Sequence, residues 1–148
     1  MKTLRFLGTM VAASVAMTLH AFSAEGWLTD YDKALAQAKA EKKPVLIDFT
    51  GSDWCGWCIR LNREVFSQEE FKEYARKNLV LLEVDFPRRK PLAPGQREKN
   101  EELANKYRVE GFPTLVILDS EGKQIGTLGY RPGGPKAFIE ALEKVTKK

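Results

Sequence analysis

The sequence predicts an α/β fold: an open, mixed, four-stranded sheet flanked by helices, with an additional helix before the first strand. Segments of helical apolar spacing alternate with short apolar runs along most of the chain. Helical segments separate the first two runs, so those strands should be parallel, whereas only a turn separates the last two, which should be antiparallel. At 148 residues the chain is the size of one ordinary domain.

The first 24 residues have the layout of a secretory signal peptide. Lys2 and Arg5 precede an apolar run over residues 6–19, and small residues follow at Ala21 and Ser23. The run is shorter than the roughly 20 residues that a membrane-spanning helix needs, so we expect cleavage and no stable membrane insertion. An uncleaved N-terminal anchor is the alternative. Residues 25–148 would then form a mature domain exported to the periplasm or an equivalent compartment.

Removing this segment changes the inventory of the chain. All three methionines and the only histidine lie within it. It also carries two of the 24 basic residues and none of the 20 acidic ones, so the formal net charge falls from +4 to +2. A charge this small and dispersed does not predict a phosphate-binding surface, and nucleic acid is not an expected partner. We expect a monomer.

The first half of the mature domain contains a helix, a strand and a helical segment. Apolar residues recur at helical spacing over residues 29–43, and Pro44 stops the helix. Val-Leu-Ile-Asp-Phe at residues 45–49 predicts a buried strand that ends in a polar loop. Helical spacing resumes over residues 55–66, and Ser-Gln-Glu-Glu at residues 67–70 offers a capping box for another helix.

The second half supplies the remaining three strands. Residues 79–86 read as a buried strand, residues 87–95 as a loop with three prolines, and residues 96–107 as a helix. A third strand at residues 114–118 and a fourth at 123–128 are joined by a turn. The closing helix begins at Gly-Gly-Pro, residues 133–135, and carries one apolar stripe.

The strongest chemical signal is a pair of cysteines, Cys55 and Cys58, at a predicted helix start after a strand. Unpaired amide groups there favour the thiolate form of Cys55, and Cys58 lies one turn away, within reach to close a disulfide. Cys55 would attack a substrate disulfide, and Cys58 would then displace the reduced substrate. The reverse steps would oxidise a dithiol.

Two other interpretations of the cysteine pair stay open. The bridge could be a structural disulfide in a binding module, as exported proteins often carry, although so short a loop gains little stability from closure. A zinc site would need further cysteine or histidine ligands, and the mature chain has none to add unless carboxylates or a second chain contribute. We therefore expect no metal and no cofactor.

Three separated motifs resemble the thioredoxin family. They are Trp-Cys-Gly-Trp-Cys at residues 54–58 after a strand ending Ile-Asp-Phe, Val-Phe-Ser at residues 65–67, and Gly-Phe-Pro-Thr at residues 111–114. The pattern covers nearly the whole mature chain. It is most similar to the bacterial periplasmic thioredoxin-like branch, which includes the outer domain of the transmembrane disulfide reductase.

The resemblance implies a thioredoxin-like fold and disulfide exchange with protein disulfides or dithiols, supported by a redox partner protein. Strongly oxidising relatives carry a histidine between the two cysteines, whereas this chain has Gly56 and Trp57 there. That difference favours a reductase or electron relay. A dedicated oxidase or isomerase is the near alternative.

The resemblance also assigns further site residues. Phe112 and Pro113 would lie against the cysteine pair, with Pro113 after a cis peptide bond, where neighbouring backbone groups hold a substrate strand. Asp48 would take and return the proton of Cys58. One residue more separates Asp48 from Cys55 than in thioredoxin, so a hydrogen-bonded structural acid is the alternative.

The tryptophans and the basic loop complete the expectations. Trp54 should cover one side of the site, and Trp57 should be exposed to a protein substrate. Trp27 is expected in the core or in a linker. The basic residues at 88–90 predict a solvated loop, with an acidic partner as the alternative.

Overall fold

The computed structural model describes residues 26–147, and the predicted signal peptide lies outside the described residues. One short π-helix separates the second and third α-helices. The elements in chain order are β1 Trp27–Leu28, α1 Tyr31–Glu41, β2 Val45–Thr50, α2 Gly56–Leu61, the π-helix Asn62–Phe66, α3 Glu69–Asn78, β3 Val80–Asp85, α4 Gln96–Lys106, β4 Thr114–Leu118, β5 Gln124–Leu128 and α5 Gly134–Thr146.

The sheet is mixed, as predicted, but it has five strands in the order β1-β3-β2-β4-β5, so the prediction of four was wrong. β1, β3 and β2 run parallel, and β4 is antiparallel to both β2 and β5. The missed strand β1 pairs Trp27 with Leu81. Two residues are too few to show the alternation that marks a strand in a sequence.

The helices occupy the predicted segments with shorter bounds, and one predicted cap is wrong. α1 follows Asp30, whose carboxylate accepts a hydrogen bond from the backbone N–H of Lys33 at 3.0 Å. At α3 the N-cap is Gln68, without a side-chain cap. Ser67 ends the π-helix instead, and its hydroxyl bonds the Asn62 side chain at 3.0 Å. The predicted capping box at residues 67–70 therefore does not form.

Two apolar clusters cover the two faces of the sheet. Side chains alternate along β2, so Leu46 faces one cluster and Val45, Ile47 and Phe49 face the other. The Leu46 cluster includes Phe66, Phe71 and Phe138, whose ring centroids lie 5.0 to 5.9 Å apart. The same alternation directs Asp48 to the Leu46 face, the face covered by α2.

Candidate active site

The two cysteines form a disulfide at the start of α2, just beyond the carboxyl end of β2. Cys55 is the N-cap of α2, and its sulfur accepts the backbone N–H of Cys58 at 3.2 Å. The backbone N–H of Cys55 donates to the carbonyl of Gly51 at 2.8 Å, which closes the turn after β2. An amide donor at a helix start favours the ionised form of a reduced thiol.

Exposure differs sharply between the cysteines and the residues that separate them. Cys55 is 7% exposed and Cys58 is 4% exposed, whereas Trp57 is 55% exposed. Gly56 is also exposed. The disulfide therefore lies just beneath the surface, next to an exposed glycine and an exposed indole ring.

Trp54 is held in place by contacts on several sides. Its indole N–H donates to the carbonyl of Phe86 at 2.7 Å, and its ring meets that of Phe112 edge-on at 6.0 Å. The guanidinium of Arg88 lies 3.9 Å from the ring centroid. A Cβ on Gly51 would come within 2.5 Å of the indole, so only glycine leaves room for this ring.

The peptide bond between Phe112 and Pro113 is cis, as the resemblance implied. Phe112 stacks on Phe86 at 5.1 Å as well as meeting Trp54. Pro113 directly precedes β4, the neighbour of β2 in the sheet. The structure thus brings Trp54 and the loop before β4 together at one edge of the site.

Trp57 belongs to a second aromatic group that the sequence did not predict. Its ring lies 5.0 Å from that of Tyr130, and the Arg60 guanidinium lies within 5.5 Å of both ring centroids. Arg60 and the Tyr130 hydroxyl each bond the Glu64 carboxylate at 2.7 Å. Arg60 and Glu64 are four residues apart, a spacing at which helical side chains meet, whereas Tyr130 comes from the loop before α5 and no local pattern links it to them.

Asp48 is buried on the α2 side of the sheet. It lines a cavity of about 110 Å³ together with Cys58 and Glu83. Its Oδ1 atom has no hydrogen-bond partner among the described residues. Burial raises the pKa of Asp48 well above its usual value, and the neighbouring carboxylates of Glu83 and Asp85 raise it further.

The basic loop after β3 is held by hydrogen bonds to Asp53, which lies between β2 and the cysteine pair. The Asp53 carboxylate accepts the backbone N–H groups of Arg88, Arg89 and Lys90 at 2.9, 2.7 and 3.2 Å. The hydrogen bond from Arg88, followed by those from the other two residues, lowers the pKa of Asp53. Residues 88–90 are all exposed, as predicted for a solvated loop, and the Arg88 guanidinium lies over the face of Trp54.

The structure places a disulfide at a helix start, a cis-proline loop directly before β4 and a buried acid on β2 of one mixed α/β sheet. Residues 31–146 match the family described as a thioredoxin-like domain, and the chain belongs to that family. None of the helices between residues 26 and 147 has the length and apolarity required to span a bilayer.

The proteins similar to this chain include a bacterial disulfide bond reductase and an oxidoreductase of solved structure. Over 117 residues the chain is 43% identical to the disulfide bond reductase DsbH of Chlamydia pneumoniae, an alignment that covers 79% of this chain and 70% of that protein. The solved structure of a DsbH oxidoreductase superimposes with a TM-score of 0.77 at 37% identity, covering 92% of this chain and 95% of that one.

A third relative is larger. The chain is 33% identical over 118 residues to the thiol:disulfide interchange protein DsbD of Cronobacter sakazakii, covering 80% of this chain but 18% of that protein. The family match and the three relatives are all thiol-disulfide exchange proteins or their domains, in agreement with a cysteine pair bridged at a helix start. The chain is a bacterial-type thioredoxin-like thiol-disulfide oxidoreductase.

Proposed function

We propose that the protein reduces disulfides of exported proteins through Cys55 and Cys58. A dithiol of a redox partner protein then reduces the resulting Cys55–Cys58 disulfide. The observation that carries the proposal is the hydrogen bond from the Cys58 backbone N–H to the Cys55 sulfur. A relative named disulfide bond reductase supports the direction. The Gly-Trp pair between the cysteines also supports it, because it supplies no imidazole to stabilise the thiolate form further.

The reaction has two sulfur transfers. The Cys55 thiolate attacks one sulfur of the substrate disulfide, the substrate S–S bond breaks, and its other sulfur leaves as a thiolate that takes a proton from water. Cys58 then gives its proton to the Asp48 carboxylate and attacks the Cys55 sulfur. The second substrate sulfur leaves, the Cys55–Cys58 bond forms, and two electrons have passed to the substrate.

Re-reduction of the Cys55–Cys58 disulfide follows the same steps in reverse, with a dithiol of the partner protein as the electron donor. As the Cys55–Cys58 bond breaks, Cys58 leaves as a thiolate and Asp48 returns the proton to it. The raised pKa of Asp48 supports this role, because the carboxyl holds its proton in the oxidised protein until a stronger base appears beside it.

The substrate would lie across the exposed edge of the site. Trp54, Phe112 and Pro113 form one side of this edge, and Trp57 forms the other. Aromatic side chains give large contact areas at low entropic cost, which suits contact with a protein substrate. The basic and apolar pattern of residues 1–24 supports export, and we propose that the mature chain acts as a monomer.

Trapping of the intermediate tests the proposal. The Cys58→Ser variant, incubated with insulin, should accumulate a mixed disulfide through Cys55, because the resolving sulfur is gone. Cys55→Ser is the matched control and should trap nothing. A wild-type disulfide that resists excess dithiothreitol, with no adduct in either variant, would instead identify a binding module with a structural bridge.

The direction is tested separately by the redox potential. A reductase should equilibrate near about −270 mV, at the reducing end of the range, rather than near about −120 mV. A value at the oxidising end would identify an oxidase and leave the exchange chemistry intact.

A further inference from the structure

The cavity beneath Cys58 contains a second acid that the proposed mechanism does not use. Asp48 and Glu83 occupy paired register positions on the neighbouring parallel strands β2 and β3. Side chains at paired positions of adjacent strands project from the same face of a sheet. Both residues accordingly line the same cavity of about 110 Å³ as Cys58.

The two carboxyl groups have little positive charge near them. Burial is the main cause that raises the pKa of each, and the charge of Glu83 raises the pKa of Asp48 further. α2 presents Cys58 to the cavity and the π-helix presents Asn62, which is uncharged. The other charged groups that act on the pair are Asp85, at the end of β3, and Lys90, in the following loop.

Glu83 differs from Asp85, the other acid of β3. Asp85 accepts hydrogen bonds from the backbone N–H and the hydroxyl of Ser52, at 2.9 and 2.5 Å. Glu83 lines the cavity and is less buried than Asp48. Lys90 also favours the ionised form of Glu83. Glu83 therefore ionises first, and Asp48 retains the proton.

We propose that Glu83 is a positioning residue for disulfide exchange: it shares one proton with Asp48, and its charge keeps Asp48 a strong enough base to take the proton of Cys58. The inference rests on the proposed function. In the resolving step the S–H bond of Cys58 breaks and an O–H bond forms on Asp48. Both carboxyl groups are ionised immediately before this step. Afterwards the pair holds one proton and one negative charge, which relieves the repulsion between two adjacent carboxylates in the same cavity.

The test replaces Glu83 by its uncharged isostere and follows the titration of Asp48. In oxidised Glu83→Gln, the midpoint of the Asp48 carboxyl carbon signal in NMR should fall by about one pH unit, a tenfold loss of proton affinity. The pH profile of insulin reduction should move in the same direction. Glu140→Gln, which removes an exposed charge on α5, is the control and should move neither.

A second measurement covers the case in which Glu83→Gln does not fold. In the wild-type protein the Asp48 and Glu83 carboxyl signals should each move in two steps, because each group senses the ionisation of the other. Independent single steps, or an unchanged Asp48 midpoint in a folded Glu83→Gln protein, would overturn the inference. Failure to reduce insulin in the wild type would overturn the proposed function instead, and the titration is measured without turnover.

Discussion

At the level of single residues, the environment of Asp48 governs how stability should change with pH. Its pKa is raised by burial and by Glu83, so the folded chain binds this proton more tightly than the unfolded chain does. That stabilisation is complete below the ordinary pKa of an aspartate. It is lost as the pH rises from there towards the pKa of the folded state.

The Asp48→Asn variant should remove this dependence. The free energy of unfolding of Asp48→Asn minus that of the wild type should increase by up to about 1.4 kcal/mol per pH unit above about pH 4. Urea denaturation of both oxidised proteins at several pH values measures it. Asp53→Asn is a control of opposite sign, because the lowered pKa of Asp53 contributes stability above the ordinary aspartate pKa. An Asp48→Asn difference that does not change with pH would contradict the assignment.

Gly51 tests the packing around Trp54. In Gly51→Ala the new methyl group would overlap the indole ring, because a Cβ at this position would lie 2.5 Å from the nearest ring atom. Overpacking of this kind costs about 1–3 kcal/mol, and we expect a loss of that size with a shifted Trp54 indole N–H signal in NMR.

Gly56→Ala is the matched control for that substitution. A Cβ on Gly56 meets no neighbouring atom of the described chain within 4 Å, so the change should be close to neutral. Equal losses in the two variants would show that the indole does not occupy the space above Gly51.

Among the helices, strands and loops, the loop after β3 depends on one carboxylate that it does not itself contain. Asp53→Ala should release the three backbone N–H groups of residues 88–90 and withdraw Arg88 from Trp54. Amide hydrogen exchange should become faster at those three positions, and insulin reduction should weaken through a higher KM.

Asp119→Ala is the control for that loop. The Asp119 carboxylate also accepts two backbone N–H groups, from Glu121 and Lys123, but in the turn before β5. It should loosen only its own turn. Unchanged hydrogen exchange at residues 88–90 in Asp53→Ala would show that the loop is held by other contacts.

The elements that the sequence predicts well are those with many residues of one period. β4 lies at residues 114–118, as predicted, because five consecutive apolar or β-branched residues mark it. The π-helix was not predicted, since residues 55–66 have one apolar spacing throughout and no local pattern marks the change to wider hydrogen bonding at Asn62. Ser67 is the C-cap of this π-helix, so α3 begins after Gln68 and not after Ser67.

Across the domain, the topology brings the site together. β2 lies in the centre of the sheet with β3 on one side and β4 on the other, and all of its residues are buried. The cysteine pair could be predicted because its chemistry is local. Glu83, Phe86 and Tyr130 could not, because strand register and loop approach place them there.

The aromatic cluster on the α2 face of the sheet should dominate stability. Phe138 is fully buried and contacts Phe66 and Phe71. Phe138→Ala should cost about 3–5 kcal/mol in the free energy of unfolding, measured with urea, and Phe138→Leu should cost much less. Insulin reduction per folded molecule should stay near the wild-type rate. A loss below about 1 kcal/mol for Phe138→Ala would contradict this packing.

Alkylation of the reduced protein distinguishes the attacking sulfur from the resolving one. Cys55 and Cys58 are 7% and 4% exposed, so access alone would modify both at similar rates. Because the Cys55 sulfur accepts a helix N–H, limiting iodoacetamide at mildly acidic pH should label Cys55 and leave Cys58 free until the protein unfolds, as read by mass spectrometry. Equal labelling of the two cysteines, or preferential labelling of Cys58, would contradict the assignment of Cys55 as the attacking sulfur.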